Sequence, residues 1–168
     1  MLHAIIAIAV IVLDQFFKFW IVKNIELGGS MPFLPGILGL TYVRNTGGAF
    51  SILSSATWLL TAVTIVFIIG LIIYLIKGKL GKVSGICVAA VIGGAIRNLI
   101  DRVRLGYVVD MFEVQFMEYA IFNIADCFIV VGVIIFCIFY LIEERKKEME
   151  AKAAVIKADE GKDDDQNS

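Results

Sequence analysis

The chain has 168 residues, of which 60% are hydrophobic and 18% are charged. Because a soluble domain contains about 45–50% apolar residues, this composition excludes an ordinary water-soluble fold. The formal net charge of -1 averages a nearly uncharged body and a crowded C-terminal end, so it indicates no class of charged partner. The single histidine, His3, has no second imidazole beside it, and we predict no metal site.

Four apolar segments are long enough to cross a bilayer as helices. A spanning helix needs about 20 residues, and its backbone must be hydrogen-bonded internally because lipid offers no partner. The predicted spans, in chain order, are 2–22, 57–76, 83–100 and 120–142. Small residues along the third span, including Gly93 and Gly94, favour the close approach of a neighbouring helix.

Basic residues indicate how these spans are oriented. The short loop 77–82 contains three lysines, and residues 145–147 are all cationic. Cytoplasmic loops carry an excess of Lys and Arg, which predicts that both segments lie on the cytoplasmic side. Both termini are then cytoplasmic, and residues 23–56 and 101–119 form outer loops.

The first outer loop is too long for a simple connector. Within it, residues 37–43 are partly β-branched and bounded by glycine, as a short strand would be. We therefore predict an all-α polytopic membrane protein with four transmembrane helices and a small extracytoplasmic β element. We assign residues 1–142 to one transmembrane domain and 143–168 to a charged cytoplasmic tail, partly disordered because its composition cannot bury a core.

An acid and a base lie in the middle of the first span. An ionisable residue at membrane depth costs about 2.5–3.5 kcal/mol on insertion scales, so it needs a partner or a role. Asp14 and Lys18 are four residues apart, which places them on one helix face. A structural ion pair is the simplest interpretation, and contact with polar groups of neighbouring helices is the alternative.

Polar side chains also gather at the outer end of the third span. Arg97 with Asp101, and Asn98 with Arg102, form two i,i+4 pairs on adjacent helix faces. Two interpretations remain open. The residues form a collar at the lipid headgroups, or they hold loop backbone or a lipid phosphate.

Two further acids lie near the predicted outer surface. Asp110 is in an apolar stretch of the second outer loop, and Asp126 lies one turn after Asn123 in the fourth span. Two carboxylates at close range do not both ionise readily, so one keeps a proton while the other stays charged. Such a pair can activate a water and hydrogen-bond a developing oxyanion. Spacing alone leaves ion transport and simple packing as alternatives.

Five short motifs follow one another over about residues 10–140. They are VLDQ at 12–15, followed by Lys18; RNTGGAF at 44–50; GGAIRNLIDR at 93–102; VVDMF at 108–112; and FNIAD at 122–126. Each motif is weak evidence alone. The ordered set resembles the lipoprotein signal peptidases, also called signal peptidase II.

The resemblance implies a membrane aspartic endopeptidase without cofactor, in which Asp110 and Asp126 form the catalytic dyad. It implies removal of the signal peptide from a prolipoprotein that already carries diacylglycerol, with cleavage before the lipidated cysteine of the lipobox. It also implies residues that line or support the pocket: Asn45, Gly47, Gly48, Asn98, Arg102, Asn123, Asp14 and Lys18. The two glycines allow backbone to approach a ligand closely, with flexibility alone as the alternative.

The implied setting is the bacterial cytoplasmic membrane, with the site near the outer face and membrane lipid around it. We predict activity as a monomer and no nucleic-acid partner. The leading alternative is a small transporter or proton-coupled channel with a relay through Asp14, Lys18 and Asp126, but the acids cluster towards one membrane face. A scaffold that binds partners through its tail is a third possibility, and it leaves the polar residues of the third span unexplained.

Overall fold

The computed structural model describes residues 1–47 and 57–166, with side chains described as far as residue 150 and at residue 152. Within these residues the chain forms four helices and three strands. In chain order they are α1 (Leu2–Asn24), β1 (Ser30–Leu34), β2 (Leu38–Asn45), α2 (Thr57–Lys77), α3 (Lys82–Leu105), β3 (Val108–Val114) and α4 (Ile124–Gln166).

Each helix contains a segment that is long and apolar enough to span a membrane. The mean hydropathy of these segments is 2.2, 2.9, 1.8 and 2.7 from α1 to α4. Helix α3 is the least apolar and the most enclosed, with 72% of its segment buried against 6% for α2, because it packs against all three other helices. The predicted four-helix membrane fold is confirmed.

The boundaries of α3 and α4 differ most from the sequence prediction. Helix α3 continues five residues beyond the predicted end at residue 100, until Gly106 adopts a left-handed conformation (φ 81°) and donates its N–H to the Arg102 carbonyl at 3.1 Å. Glycine adopts this conformation without a Cβ penalty, which is why it ends helices. Helix α4 begins at Ile124, not at residue 120. It then continues into the charged segment, where the division at residue 142 and a partly disordered tail stay predictions.

The predicted β element is confirmed as β2, but it belongs to a larger sheet than predicted. The sheet is antiparallel with the order β1-β2-β3, and its third strand comes from the second outer loop. The β2–β3 register pairs Val43 with Asp110 and Asn45 with Val108. Apolar side chains attach the sheet to the end of α1 in one buried cluster: Ile21, Ile25, Leu40, Tyr42, Val109 and Met111.

Glycines let the backbone of α3 come into direct contact with the backbones of α1 and α4. A Cβ on Gly93 would lie 2.7 Å from the Ala7 carbonyl oxygen of α1, and one on Gly94 would lie 2.6 Å from the Ala125 carbonyl oxygen of α4. In either position the added atom would overlap the backbone of the neighbouring helix, and that whole helix would have to move away. The small residues predicted to favour close packing therefore fix α3 against the first turn of α4.

Candidate active site

The first turn of α4 is held by a reciprocal capping arrangement. Asn123 precedes the helix, and its Oδ1 accepts the Asp126 backbone N–H at 3.0 Å, while Asp126 Oδ2 accepts the Asn123 backbone N–H at 3.1 Å. This is the capping box, which satisfies two N–H groups that the helix itself leaves free. The start of the helix therefore fixes the Asp126 carboxylate, and a negative charge there is favoured by the helix dipole.

The second oxygen of Asp126 is held from α3. Asn98 Nδ2 donates to Asp126 Oδ1 at 2.7 Å. Asn98 Oδ1 in turn accepts from Lys18 Nζ at 3.2 Å and from Asn123 Nδ2 at 3.1 Å. Because two donors meet the carbonyl end of the Asn98 amide, its NH2 end is directed at Asp126.

Asp110 is positioned by the sheet and by the same Asn123 amide. Its Oδ2 accepts from Asn45 Nδ2 at 2.8 Å, and its Oδ1 accepts from Asn123 Nδ2 at 2.7 Å. Asn45 lies on the neighbouring strand, where its Oδ1 accepts the Gly47 N–H at 3.0 Å. Each oxygen of Asp110 therefore receives a hydrogen bond from a neutral amide.

Backbone pairing brings the two carboxylates together. Phe112 and Phe122 exchange hydrogen bonds at 2.8 and 3.2 Å, which joins the strand that carries Asp110 to the residue before Asn123. Asn123, which is fully buried, then contacts Asp110 through its amide nitrogen and Asp126 through its amide oxygen and backbone. One asparagine thus links both acids.

Both acids line one cavity of about 250 Å³. Its polar lining is completed by Asn45, Asn98 and Arg102. The remaining walls are mostly apolar and come from β3, the segment before α4 and α4 itself: Val108, Tyr119, Ala120, Ile121, Phe122 and Val130. The cavity combines two carboxylates with apolar walls, a combination typical of ligand-binding pockets.

The environment of Asp110 favours retention of a proton. Burial raises the pKa of Asp110 from 3.8 to about 6, and the negative charge of Asp126 adds to this effect. The hydrogen bonds from Asn45 and Asn123 oppose it because they stabilise the charged form. A carboxyl group with such a pKa can donate or accept a proton near neutral pH.

Beside this cavity lies a buried cluster of four charges, which we call the ion quartet: Asp14, Lys18, Arg97 and Asp101. The predicted pairs Asp14–Lys18 (2.8 Å) and Arg97–Asp101 (2.6 Å) are confirmed. Two contacts between helices complete it, Lys18–Asp101 at 2.8 Å and Arg97–Asp14 at 3.3 Å. All four residues are at most 3% exposed, so Arg97 and Asp101, two of the four residues predicted as a possible collar, do not face the lipid headgroups.

The predicted pocket residues divide into three groups. Asn45, Asn98, Arg102 and Asn123 lie in or at the cavity, whereas Asp14 and Lys18 belong to the ion quartet. Gly47 is buried and holds the Asn45 amide, and Gly48 lies outside the described residues. Among the described residues Asn98 pairs with Lys18, Asn123 and Asp126, not with Arg102 as predicted.

Sequence reasoning missed the contacts of Asp101 with α1 and β3. Besides Arg97 and Lys18, Asp101 accepts the Val109 backbone N–H at 3.4 Å. A signal was present, since the first and third spans each carry an acid and a base four residues apart. When two helices that each carry such a pair at similar depth pack together, the acid of one helix can contact the base of the other.

Known proteins resemble this chain over most of its length. The family model described as signal peptidase (SPase) II matches residues 6–142. A lipoprotein signal peptidase of Streptococcus agalactiae serotype Ia is 49% identical over 131 residues, which cover 77% of this chain and 85% of the relative. One from Streptococcus pyogenes serotype M2 is 46% identical over 133 residues, covering 78% and 87%.

A solved structure of a bacterial membrane enzyme has the same fold. A bacterial membrane enzyme determined by the in meso method at 2.3 Å resolution superposes with a TM-score of 0.80 at 32% identity, covering 86% of this chain and 90% of that one. The similarity therefore extends to the arrangement of the helices as well as to the sequence. The chain belongs to the signal peptidase II family of bacterial membrane peptidases.

Proposed function

We propose that this protein is an aspartic endopeptidase that removes the signal peptide from diacylglyceryl-modified prolipoproteins, cleaving before the lipidated cysteine. The observation that carries the proposal is the convergence of Asp110 and Asp126 on one cavity. The lipoprotein signal peptidases to which the chain is similar supply the substrate class.

In the proposed reaction, one carboxylate of the dyad is charged and the other is protonated. The charged carboxylate takes a proton from a water as the water oxygen bonds to the scissile carbonyl carbon, and the protonated carboxyl hydrogen-bonds the carbonyl oxygen as negative charge develops there. The amide nitrogen then receives a proton from the dyad and the C–N bond breaks. The products are a signal peptide with a new carboxyl terminus and a lipoprotein with a new amino terminus on its cysteine.

The surrounding amides keep the dyad ready for this chemistry. Asn98 and the Asn123 backbone hold the oxygens of Asp126, while Asn45 and the Asn123 side chain hold those of Asp110. Neutral donors orient a carboxylate without pairing it to a fixed positive charge. Each acid therefore keeps its place while its proton is exchanged, a form of preorganisation that lowers the barrier.

Access from the lipid is consistent with the shape of the site. The apolar walls include Ile121 and Val130, and the outward face of α4 is exposed and apolar. A signal-peptide helix and two acyl chains could enter sideways between helices without leaving a hydrophobic environment. We place the cavity near the outer membrane face, since the lysines at 77–82 lie at the opposite end of α3 from Arg102.

The proposal is tested with Asp110→Asn and Asp126→Asn, each purified and incubated with a diacylated precursor. Both variants keep the shape of the carboxyl group but cannot exchange its proton, so we expect signal-peptide release to fall by at least about 100-fold. The matched control is Glu118→Gln, which makes the same change on an exposed acid of the same loop and should leave the rate unaltered.

The same precursor without diacylglycerol tests the substrate class. We expect the wild-type enzyme to release the signal peptide only from the lipidated form. Processing at the normal rate by either aspartate variant would refute the dyad. Equal cleavage of both precursors would refute the assigned substrate.

A further inference from the structure

The ion quartet lies behind the dyad, not in its cavity, and its charges cancel. Asp14 and Lys18 come from α1, and Arg97 and Asp101 come from α3. Each of its carboxylates contacts both of its cations, at distances from 2.6 to 3.3 Å. Buried ion pairs cost desolvation energy, and apolar residues often join helices equally well. The arrangement therefore calls for a role other than joining α1 to α3.

Both acids of the quartet also accept hydrogen bonds from backbone N–H groups next to the dyad. Asp14 Oδ1 accepts the Ala125 N–H at 2.9 Å, and Asp101 Oδ2 accepts the Val109 N–H at 3.4 Å. Ala125 immediately precedes Asp126, and Val109 immediately precedes Asp110. The quartet thus holds the residue before each catalytic carboxylate. Its own residues come from α1 and α3, whereas Asp110 lies on β3 and Asp126 on α4.

Arg97 contacts both quartet acids and holds Asp101 in this orientation. Its Nη1 lies 2.6 Å from Asp101 Oδ1, and its Nε lies 3.3 Å from Asp14 Oδ2. In Asp101 the other oxygen accepts both the Val109 N–H and Lys18 Nζ, so the guanidinium and the backbone hold opposite ends of this carboxylate. In Asp14 the contact with Arg97 lacks hydrogen-bond geometry, and Lys18 Nζ lies closer to the same oxygen, at 2.8 Å. Rotation of the Asp101 carboxylate would break its contact with Arg97 or with the Val109 N–H.

We infer that Arg97 is a positioning residue for the peptidase reaction, which acts through Asp101 and the Val109 N–H to set the position of Asp110 relative to Asp126. The inference rests on the proposed function, because it presupposes that this dyad performs the chemistry. Lys18 contacts both quartet acids and also Asn98 Oδ1. Removal of Lys18 would disturb the dyad by a second route, so Arg97 gives the cleaner test.

The test compares Arg97→Met with Arg104→Met in the purified full-length enzyme acting on a diacylated precursor. Loss of the guanidinium leaves Asp101 Oδ1 without its partner, so this carboxylate can turn and shift the Val109 N–H that it holds. We expect kcat to fall about 10-fold or more, since small misplacements at a catalytic centre have effects of this size. We expect KM to change less than about twofold, because Arg97 does not line the cavity. Arg104 lies seven residues further along the same helix and is exposed, and its variant should match the wild type.

A second variant tests whether Arg97 positions the dyad or only balances the buried charges of the quartet. It is designed to fold even if the single variant does not. Arg97→Met with Asp14→Asn leaves Lys18 and Asp101 as a neutral pair, and the new asparagine Oδ1 can still accept the Ala125 N–H. We expect this double variant to regain the wild-type Tm while its kcat stays low.

Four outcomes would decide against parts of this account. A wild-type kcat in Arg97→Met would overturn the inference, and so would recovery of kcat together with Tm in the double variant, because Arg97 would then only balance charge. Failure of the neutral double variant to fold would assign the quartet to folding instead. Activity in Asp110→Asn or Asp126→Asn would remove the proposed function itself, whatever the Arg97 variants do.

Discussion

The molecule contains two pairs of carboxylates that differ in their neighbours. Asp14 and Asp101 lie between the cations Lys18 and Arg97. The dyad acids, in contrast, receive their hydrogen bonds from neutral amide and backbone N–H groups within the described residues. An adjacent cation stabilises the charged form of an acid, whereas an amide orients the acid and leaves its proton exchangeable.

Burial alone does not separate the two pairs. Asp110 is 2% exposed and Asp101 is 3% exposed, yet of these two acids only Asp101 has cations within 3 Å in the described parts of the chain. A buried acid is therefore structural or chemical according to the charge of its immediate neighbours. The comparison gives three predictions, which change one pair at a time and measure whether stability or proton exchange responds.

The largest effect should come from the same substitution made in each pair. Asp101→Asn leaves Lys18 and Arg97 with one acid between them, and removal of one partner from a buried ion pair costs about 3–5 kcal/mol. Asp110→Asn removes a carboxyl group that has no ionic partner in the ion quartet, so its free energy of unfolding should not fall below that of the wild type at neutral pH. Thermal or chemical unfolding of both purified variants provides the measurement.

Glu118→Gln serves as the matched control, because it removes an exposed acid from the second outer loop. Its stability should equal that of the wild type. Equal destabilisation by Asp101→Asn and Asp110→Asn would show that burial, and not the neighbouring charge, distinguishes acids in this protein.

The sequence revealed contacts within one element more readily than contacts between elements. The pairs Asp14–Lys18 and Arg97–Asp101 were predictable because helical geometry places residues four apart side by side. The contacts Lys18–Asp101 and Asp14–Ala125 join residues 83 and 111 positions apart. Their existence depends on how α1, α3 and α4 pack, which the spacing of residues within one helix does not specify.

The site itself was only partly accessible to sequence reasoning. Hydropathy located the spans, but the start of α4 was placed too early because residues 120–123 are mostly apolar, and hydropathy does not register that Asn123 caps the helix. Strand β3 was missed since it forms only by pairing with β2, a strand that comes from the other outer loop. The functional assignment of the two acids came from resemblance, not from their spacing.

A smaller effect should appear in the pH dependence of stability. The pKa of Asp110 is raised by burial to about 6 in the folded protein, against 3.8 ordinarily. The folded state therefore binds more protons than the unfolded state between these values. This group should lower the free energy of unfolding as pH rises from about 4 to about 6, by up to about 3 kcal/mol, with no further change above that range.

The measurement is the difference in unfolding free energy between the wild type and Asp110→Asn at several pH values. The wild type should lose stability relative to the variant as pH rises through this window. Glu118→Gln, which retains Asp110, should follow the wild type. Parallel curves for the wild type and Asp110→Asn would contradict a raised pKa at this position.

The smallest expected effect concerns the pKa of Asp110 and the amide hydrogen bonds that this acid receives. Asn45→Ala removes one of the two amide hydrogen bonds to Asp110, and since that bond stabilises the charged carboxylate, its loss should raise the pKa of Asp110 further. If activity requires one shared proton, the alkaline limb of the kcat/KM profile should move to higher pH by less than about one unit.

Asn24→Ala provides the control for this profile, because Asn24 is an exposed asparagine that bonds only to the Trp20 carbonyl among the described residues. Its pH profile should coincide with that of the wild type. A shift of the alkaline limb to lower pH in Asn45→Ala would mean that Asn45 stabilises the protonated form of the dyad. The Asn45 amide oxygen would then accept a hydrogen bond from protonated Asp110. In that case an amide would stabilise one protonation state of the acid, as a cation does, and the distinction between orienting amides and charge-fixing cations would not hold for Asn45.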